Sequence, residues 1–97
     1  MARRLSDNEI GRHLTRLSGW TRDGDSLRRT VEARDFPTAI AIVDDVAAEA
    51  EKMNHHPDID IRWRTLHFTL STHSEGGITE LDIQLAAFID ETAAAGG

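Results

Sequence analysis

The sequence predicts an α+β two-layer sandwich: a four-stranded antiparallel sheet with three helices on one face, in the order α-β-β-α-β-β-α. Three observations predict it. Apolar residues recur at helical spacing in three separate stretches, and at period two in four short ones. The short stretches pair off around turn residues, as hairpins do. Hairpins interleaved with amphipathic helices need one shared core, which two layers provide.

The first helix is announced by "LSDNEIGRHLTRL". Ser6 and Glu9 have the spacing of a reciprocal capping box, and Leu5 and Ile10 flank it as a hydrophobic staple. Ile10, Leu14 and Leu17 then form an apolar stripe, which Gly19 is expected to end. "GWTRDGDSLRRTVEA" reads as a hairpin turning at Asp23-Gly24. Its second strand alternates Leu27, Arg29, Val31 and Ala33 against Arg28, Thr30 and Glu32.

Asp35 is a suitable N-cap for the second helix, and Pro37 falls in its first turn, where a missing N–H costs nothing. The expected buried stripe is Phe36, Ile40, Val43, Val46/Ala47, Ala50 and Met53. Pro57 forbids helix beyond about His55. Ile59, Ile61 and Trp63 alternate with Asp60 and Arg62, a turn follows near "WRT", and Leu66, Phe68, Leu70 and Thr72 form the next strand. "SEGG" closes it. Thr79 and Asp82 are spaced as a capping box for the last helix, whose expected buried face carries Leu81, Leu85, Phe88 and Ile89.

Composition bounds the rest. A chain of 97 residues is expected to form one domain over 1–97, with ends at about 1–4 and 93–97 frayed. The formal charge is −6, and acids surround the basic pairs Arg3/Arg4, Arg28/Arg29 and Arg62/Arg64, so no nucleic-acid partner is expected. The absence of cysteine excludes thiolate nucleophiles and cysteine-ligated zinc. No apolar run is long enough to span a membrane, and no secretory h-region follows the N-terminal arginines. A cytoplasmic location is the expectation. Ten arginines to one lysine point to a GC-rich bacterial source.

Chemistry concentrates in "EKMNHHPDIDIRW". His55 and His56 stand at the end of the second helix, where the backbone carbonyls favour a protonated imidazole. His73 ends the last strand, and Asp82 opens the last helix. In two layers a helix end, a strand end and a helix start converge on one small cleft. Glu51 precedes His55 by four residues, which on a helix sets the two side by side. Three imidazoles could ligate zinc, but adjacent residues seldom aim both rings at one ion and no HExxH pair exists, so no metal is expected. His13 and His67 read as exposed helix and strand positions. Several histidines with no thiol and no phosphate-binding glycine loop suit proton transfer on a neutral substrate, such as elimination of water.

These residues also resemble a known family. "AEAEKMNHHPDIDIRWRTLHFTLSTHSEGGITELDIQLAAFI" is similar to the pterin-4a-carbinolamine dehydratases: Glu51, His55-His56-Pro57, an aromatic at Trp63, "TLSTH" ending in His73, then "GGIT", Asp82 and "LAAFI". "GW" at Gly19-Trp20 and "DFPTAIAIVDDVAAEA" extend the likeness over nearly all of the chain. The resemblance implies a hydro-lyase that dehydrates 4a-hydroxytetrahydrobiopterin to quinonoid dihydropterin with no metal or organic cofactor, recycling the pterin of aromatic amino acid hydroxylases. It implies that His55 and His73 form the acid/base pair, with neither assigned as acid or base, and that His56 mainly holds the pterin. Glu51 and Asp82 would orient imidazoles, and Trp20 would bind substrate at the site rim. A homodimer or tetramer is implied, and bare sheet edges independently favour pairing. Leu27, Val31 and Ala33 stand where many members carry aromatics, so a dimer or higher is expected. The alternative is a non-catalytic dimerisation module, since an animal relative serves as a dimerisation cofactor for a transcription factor.

Overall fold

The computed structural model describes residues 2–96 and has the predicted order: α1 (Asp7–Leu14), β1 (Thr21–Asp23), β2 (Ser26–Glu32), α2 (Phe36–Met53), β3 (Asp58–Arg62), β4 (Thr65–Leu70), a 3-10 turn (His73–Glu75) and α3 (Glu80–Gly96). The strands form one antiparallel sheet ordered β1-β2-β4-β3. Register follows the sequence alternation: Leu27 faces Leu70, Arg29 faces Phe68 and Val31 faces Leu66. Leu27, Val31, Leu66, Phe68 and Leu70 are buried beneath the helices, while Arg28, Thr30 and Glu32 of β2 lie exposed on the other face. A one-residue slip would exchange these faces, so the burial itself fixes the register.

The N-terminal capping box forms as expected. Ser6 Oγ accepts from the Glu9 N–H at 3.2 Å, and Glu9 Oε1 accepts from the Ser6 N–H at 2.8 Å. Arg3 adds a two-pronged contact to the same carboxylate, at 3.0 and 2.7 Å. With the Arg3 bonds as the larger cause and the Ser6 amide next, the Glu9 carboxyl is held down at about 2 rather than the usual 4.5. A depressed carboxyl stabilises the fold fully above its unfolded value and loses that contribution as pH falls through its folded one. Glu9→Gln is therefore expected to melt below the parent at about pH 6, with the gap closing towards about pH 2. Melting curves over that range, read by circular dichroism, check it; a constant gap contradicts it.

Several expectations are corrected. α1 stops at Leu14 rather than near Gly19; Thr15 Oγ1 donates to the Arg12 carbonyl, and single turns (Leu17 N–H to Leu14 O, Trp20 N–H to Leu17 O) carry the chain on. This tighter winding brings Leu17 and Trp20 into the core. The first hairpin turns at Gly24-Asp25, closed by the Asp23–Ser26 pair, because the residue with positive φ, Gly24 at +59°, must come first in the loop. Both ends make contacts with the body of the fold. Arg4 bridges Thr79, the Leu5 N–H meets the Ile78 carbonyl, and α3 runs to Gly96, packed near Ile42. Met1 and Gly97 lie outside the described residues.

α2 buries Val46 and Ala50 of the expected stripe, with Val43 and Met53 half-buried, but adds Ala39 and Ile42 in place of Phe36 and Ala47. Phe36 is 46% exposed and Ala47 is exposed. The helix carries two apolar lines, and periodicity cannot choose between them. Contact with α3 selects the line that is buried: Gly96, near the end of α3, packs near Ile42. Similarly, α3 buries Asp82, Ile83, Leu85, Ala86 and Ile89, leaving Leu81 and Phe88 at its margin. The two helices run antiparallel: Thr92 donates to Asp45 at one end (2.8 Å), and the start of α3 meets the end of α2 at the other.

Candidate active site

The end of α2 sets the first histidine. Asn54 takes the left-handed conformation (φ 50°, ψ 45°), which asparagine tolerates better than most residues. Its N–H reaches the Glu51 carbonyl at 3.2 Å and the His55 N–H reaches the Ala50 carbonyl at 3.0 Å, the paired closure of a Schellman motif. The chain therefore reverses at Asn54 and turns His55 inward. His55 Nε2 lies 2.6 Å from Asp82 Oδ1, with the histidine 8% exposed and Asp82 wholly buried.

Asp82 is held from two further directions. Its Oδ2 accepts from the Thr79 N–H at 2.9 Å and from the Thr72 hydroxyl at 2.8 Å, and the Thr72 and Thr79 hydroxyls are 2.8 Å apart. Leu81 N–H donates to Thr79 Oγ1 at 3.2 Å. One carboxylate thus caps α3 and fixes an imidazole. A carboxylate oxygen only accepts, so His55 Nε2 carries the proton, and Nδ1 is the nitrogen left over. Among the described residues the buried polar side-chain atom without a partner is Arg29 Nε. Among the described residues no side-chain hydrogen bond engages His55 Nδ1, and Nε2 alone is committed, to Asp82.

His56 sits outside this buried pair. Its Nε2 lies 2.6 Å from Glu51 Oε1, with both side chains largely exposed. The expected neighbour of Glu51 was His55, and that is corrected. An i, i+4 contact needs helix through both residues, whereas α2 ends at Met53 and the reversal hands Glu51 to His56. Each carboxylate bonds one imidazole, Asp82 that of His55 and Glu51 that of His56. His73 opens the 3-10 turn beyond β4 and is exposed. Thr72, directly before it, touches Asp82, so a short path of bonds runs from His55 through Asp82 and Thr72 to His73.

Trp20 is not at the rim. It is 4% exposed, and its indole N–H donates to Asp90 Oδ1 at 2.8 Å, an oxygen shared with Arg29. Asp90 lies eight residues beyond Asp82, about 12 Å further along the helix. The ring fills the core, and its N–H takes the acceptor that burial demands. Gly19 has its own reason: a Cβ there would come within 3.0 Å of the Arg29 guanidinium. His67 meets Thr30 Oγ1 at 3.0 Å on the open sheet face, and His13 lies 3.6 Å from Glu80. Among the described residues no group of three or more His, Asp or Glu side chains is arranged to hold a metal ion.

Sequence reasoning missed Thr72 and Asn54. The capping-box spacing pointed to Thr79, but a threonine in a strand before a histidine carries no signal of its own.

A family profile described as "Pterin 4 alpha carbinolamine dehydratase" matches residues 3–92. The chain belongs to that family. Relatives within it include a protein of Nocardia farcinica, named "Putative pterin-4-alpha-carbinolamine dehydratase", 62% identical over 89 residues, which are 92% of this chain and 94% of that one. A protein of the same name from a Roseiflexus species is 54% identical over 91 residues, 94% of this chain and 98% of its own. A crystal structure of a transcriptional coactivator/pterin dehydratase from Brucella melitensis superposes with a TM-score of 0.91 at 36% identity, covering 93% of this chain and 98% of the other. The pterin dehydratase family thus accounts for the order of elements and for nearly the full length of the chain.

Proposed function

We propose that the protein dehydrates 4a-hydroxytetrahydrobiopterin to quinonoid dihydropterin by histidine acid/base catalysis. The observation that carries this reading is the buried Asp82–His55 pair, which commits Nε2 and leaves Nδ1 as the nitrogen available for proton transfer. The elimination needs one proton delivered to the leaving C4a hydroxyl, which departs as water, and one proton taken from the adjacent ring nitrogen. His55 Nδ1 and the exposed ring of His73 are the two groups assigned to these transfers, and a histidine can serve either way near neutrality. Excluding water from one side of His55 while pinning its ring fixes the direction of transfer.

His56, steadied by exposed Glu51, is assigned to holding the pterin. His56→Ala is expected to raise KM with kcat within about threefold of the parent, the signature of lost uniform binding. Steady-state kinetics at several pterin concentrations check it; a kcat loss as large as that of His73→Ala rejects the division of labour.

The physiological reading is recycling of the pterin used by an aromatic amino acid hydroxylase, in the cytoplasm. Among the described residues no helix is long and apolar enough to cross a membrane. We assign the working state to a homo-oligomer. β1 and β3 are open edges within one chain, and Ile61, Trp63 and Phe36 are exposed apolar residues, the first two on or beside the β3 edge. The second reading is a binding module, favoured by the coactivator part of the Brucella relative's name.

Stopped-flow absorbance on synthetic 4a-hydroxytetrahydropterin, with chelator present, separates the two. Acceleration well above the spontaneous loss of water supports the dehydratase. A rate equal to the spontaneous one sinks it and leaves the binding module standing.

A further inference from the structure

Thr72 does not titrate, yet it joins the two halves of the site. Its backbone closes the loop that carries His73: the Thr72 N–H meets the Gly77 carbonyl at 2.9 Å, and the Gly77 N–H returns to the Thr72 carbonyl at 3.3 Å. Its side chain leaves that loop and is spent on Asp82 and Thr79. The residue is 5% exposed, so no solvent competes for the hydroxyl.

The proton directions are set by chemistry. Asp82 Oδ2 can only accept, so the single Thr72 hydroxyl proton goes there. The Thr79 hydroxyl must then donate to Thr72 Oγ1, while its own oxygen accepts from the Leu81 N–H. Oδ2 is thereby filled by two donors, Thr72 and the Thr79 amide. Oδ1 is left to face His55.

The geometry points to Thr72 as a positioning residue for the dehydration. By saturating Oδ2 it turns Oδ1 to His55 and holds that ring in the tautomer protonated at Nε2, while its backbone sets His73 in register with it. The role rests on the dehydratase reading of the site, but the tautomer it predicts does not.

Thr72→Val keeps the shape and removes the hydroxyl, and Thr72→Ser restores the hydroxyl. In Thr72→Val, kcat is expected to fall about 10–100-fold with KM within about twofold, the scale on which supporting groups act through the residue they orient. Thr72→Ser is expected to stay within about threefold of the parent. In Thr72→Val the carboxylate keeps only the Thr79 amide on Oδ2 and can turn its Oδ1 from the ring, so long-range ¹H–¹⁵N spectra should show His55 protonated at Nε2 in the parent and in Thr72→Ser, and a mixture of tautomers in Thr72→Val. Unchanged kcat together with an unchanged tautomer in Thr72→Val overturns the proposal. So does a loss of rate that serine fails to restore, which marks a packing role. A parent His55 protonated at Nδ1 overturns it without any variant. If Thr72→Val does not fold, Thr72→Ala carries the same two readouts. If the parent does not accelerate dehydration at all, the dehydratase reading fails separately, and the tautomer alone judges Thr72.

Discussion

His73→Ala is expected to slow dehydration by on the order of 10²–10⁴, the usual worth of a general acid or base. The ring is exposed, so its removal should leave the melting temperature nearly unchanged and the loss should fall on kcat. His55→Gln is expected to lose rate on the same scale. Glutamine offers Asp82 an N–H donor but cannot exchange a proton near neutrality, which keeps the carboxylate partnered while the chemistry is removed. Single-turnover rates for the two variants and their combination check the pairing. Residues that act as one unit lose far less in combination than the product of the separate losses. Undiminished turnover in the double variant would reject histidine catalysis outright.

Asp82→Ala is expected to have the largest effect on stability. It strands the His55 Nε2–H, the Thr72 hydroxyl and the Thr79 N–H in a fully buried space. At about 1–3 kcal/mol for each unsatisfied buried group, the loss should be about 3 kcal/mol or more, a large share of a small domain's total. Urea unfolding measures it, and a loss under about 1 kcal/mol would show that the network is not holding α3 to β4. Asp82→Asn should fold better and still be poor in turnover. Its amide can accept from threonine only by presenting N–H to His55, which forces the ring into the other tautomer.

Much of this was legible in the sequence for identifiable reasons. The capping box at Ser6 and Glu9 and the alternation of Leu66, Phe68 and Leu70 are local rules, and the structure obeys them. Asp82 is instructive because its two readings are one: Oδ2 performs the capping, and Oδ1, the other oxygen of the same group, meets His55. What was not legible depended on where a helix stops or which neighbour it chooses. Glu51 reaches His56 because Asn54 reverses the chain two residues before Pro57 would have required it to leave the helix. The buried line of α2 depends on its contact with α3, and the acceptor that lets Trp20 sit in the core is Asp90, a partner seventy residues away. Spacing within a segment cannot encode either choice.

The tip of the second hairpin has an optical consequence. Trp63 stands at φ +55°, 71% exposed, with the Arg64 guanidinium 5.1 Å from its ring centre, while the chain's other indole, Trp20, is 4% exposed. The protein therefore carries one emitter in water and one in oil, without any label. Iodide should quench the red component and spare the blue one. Association of two copies along β3 should hide the red emitter from the quencher, so the quenchable fraction of the light becomes a gauge of assembly across a dilution series.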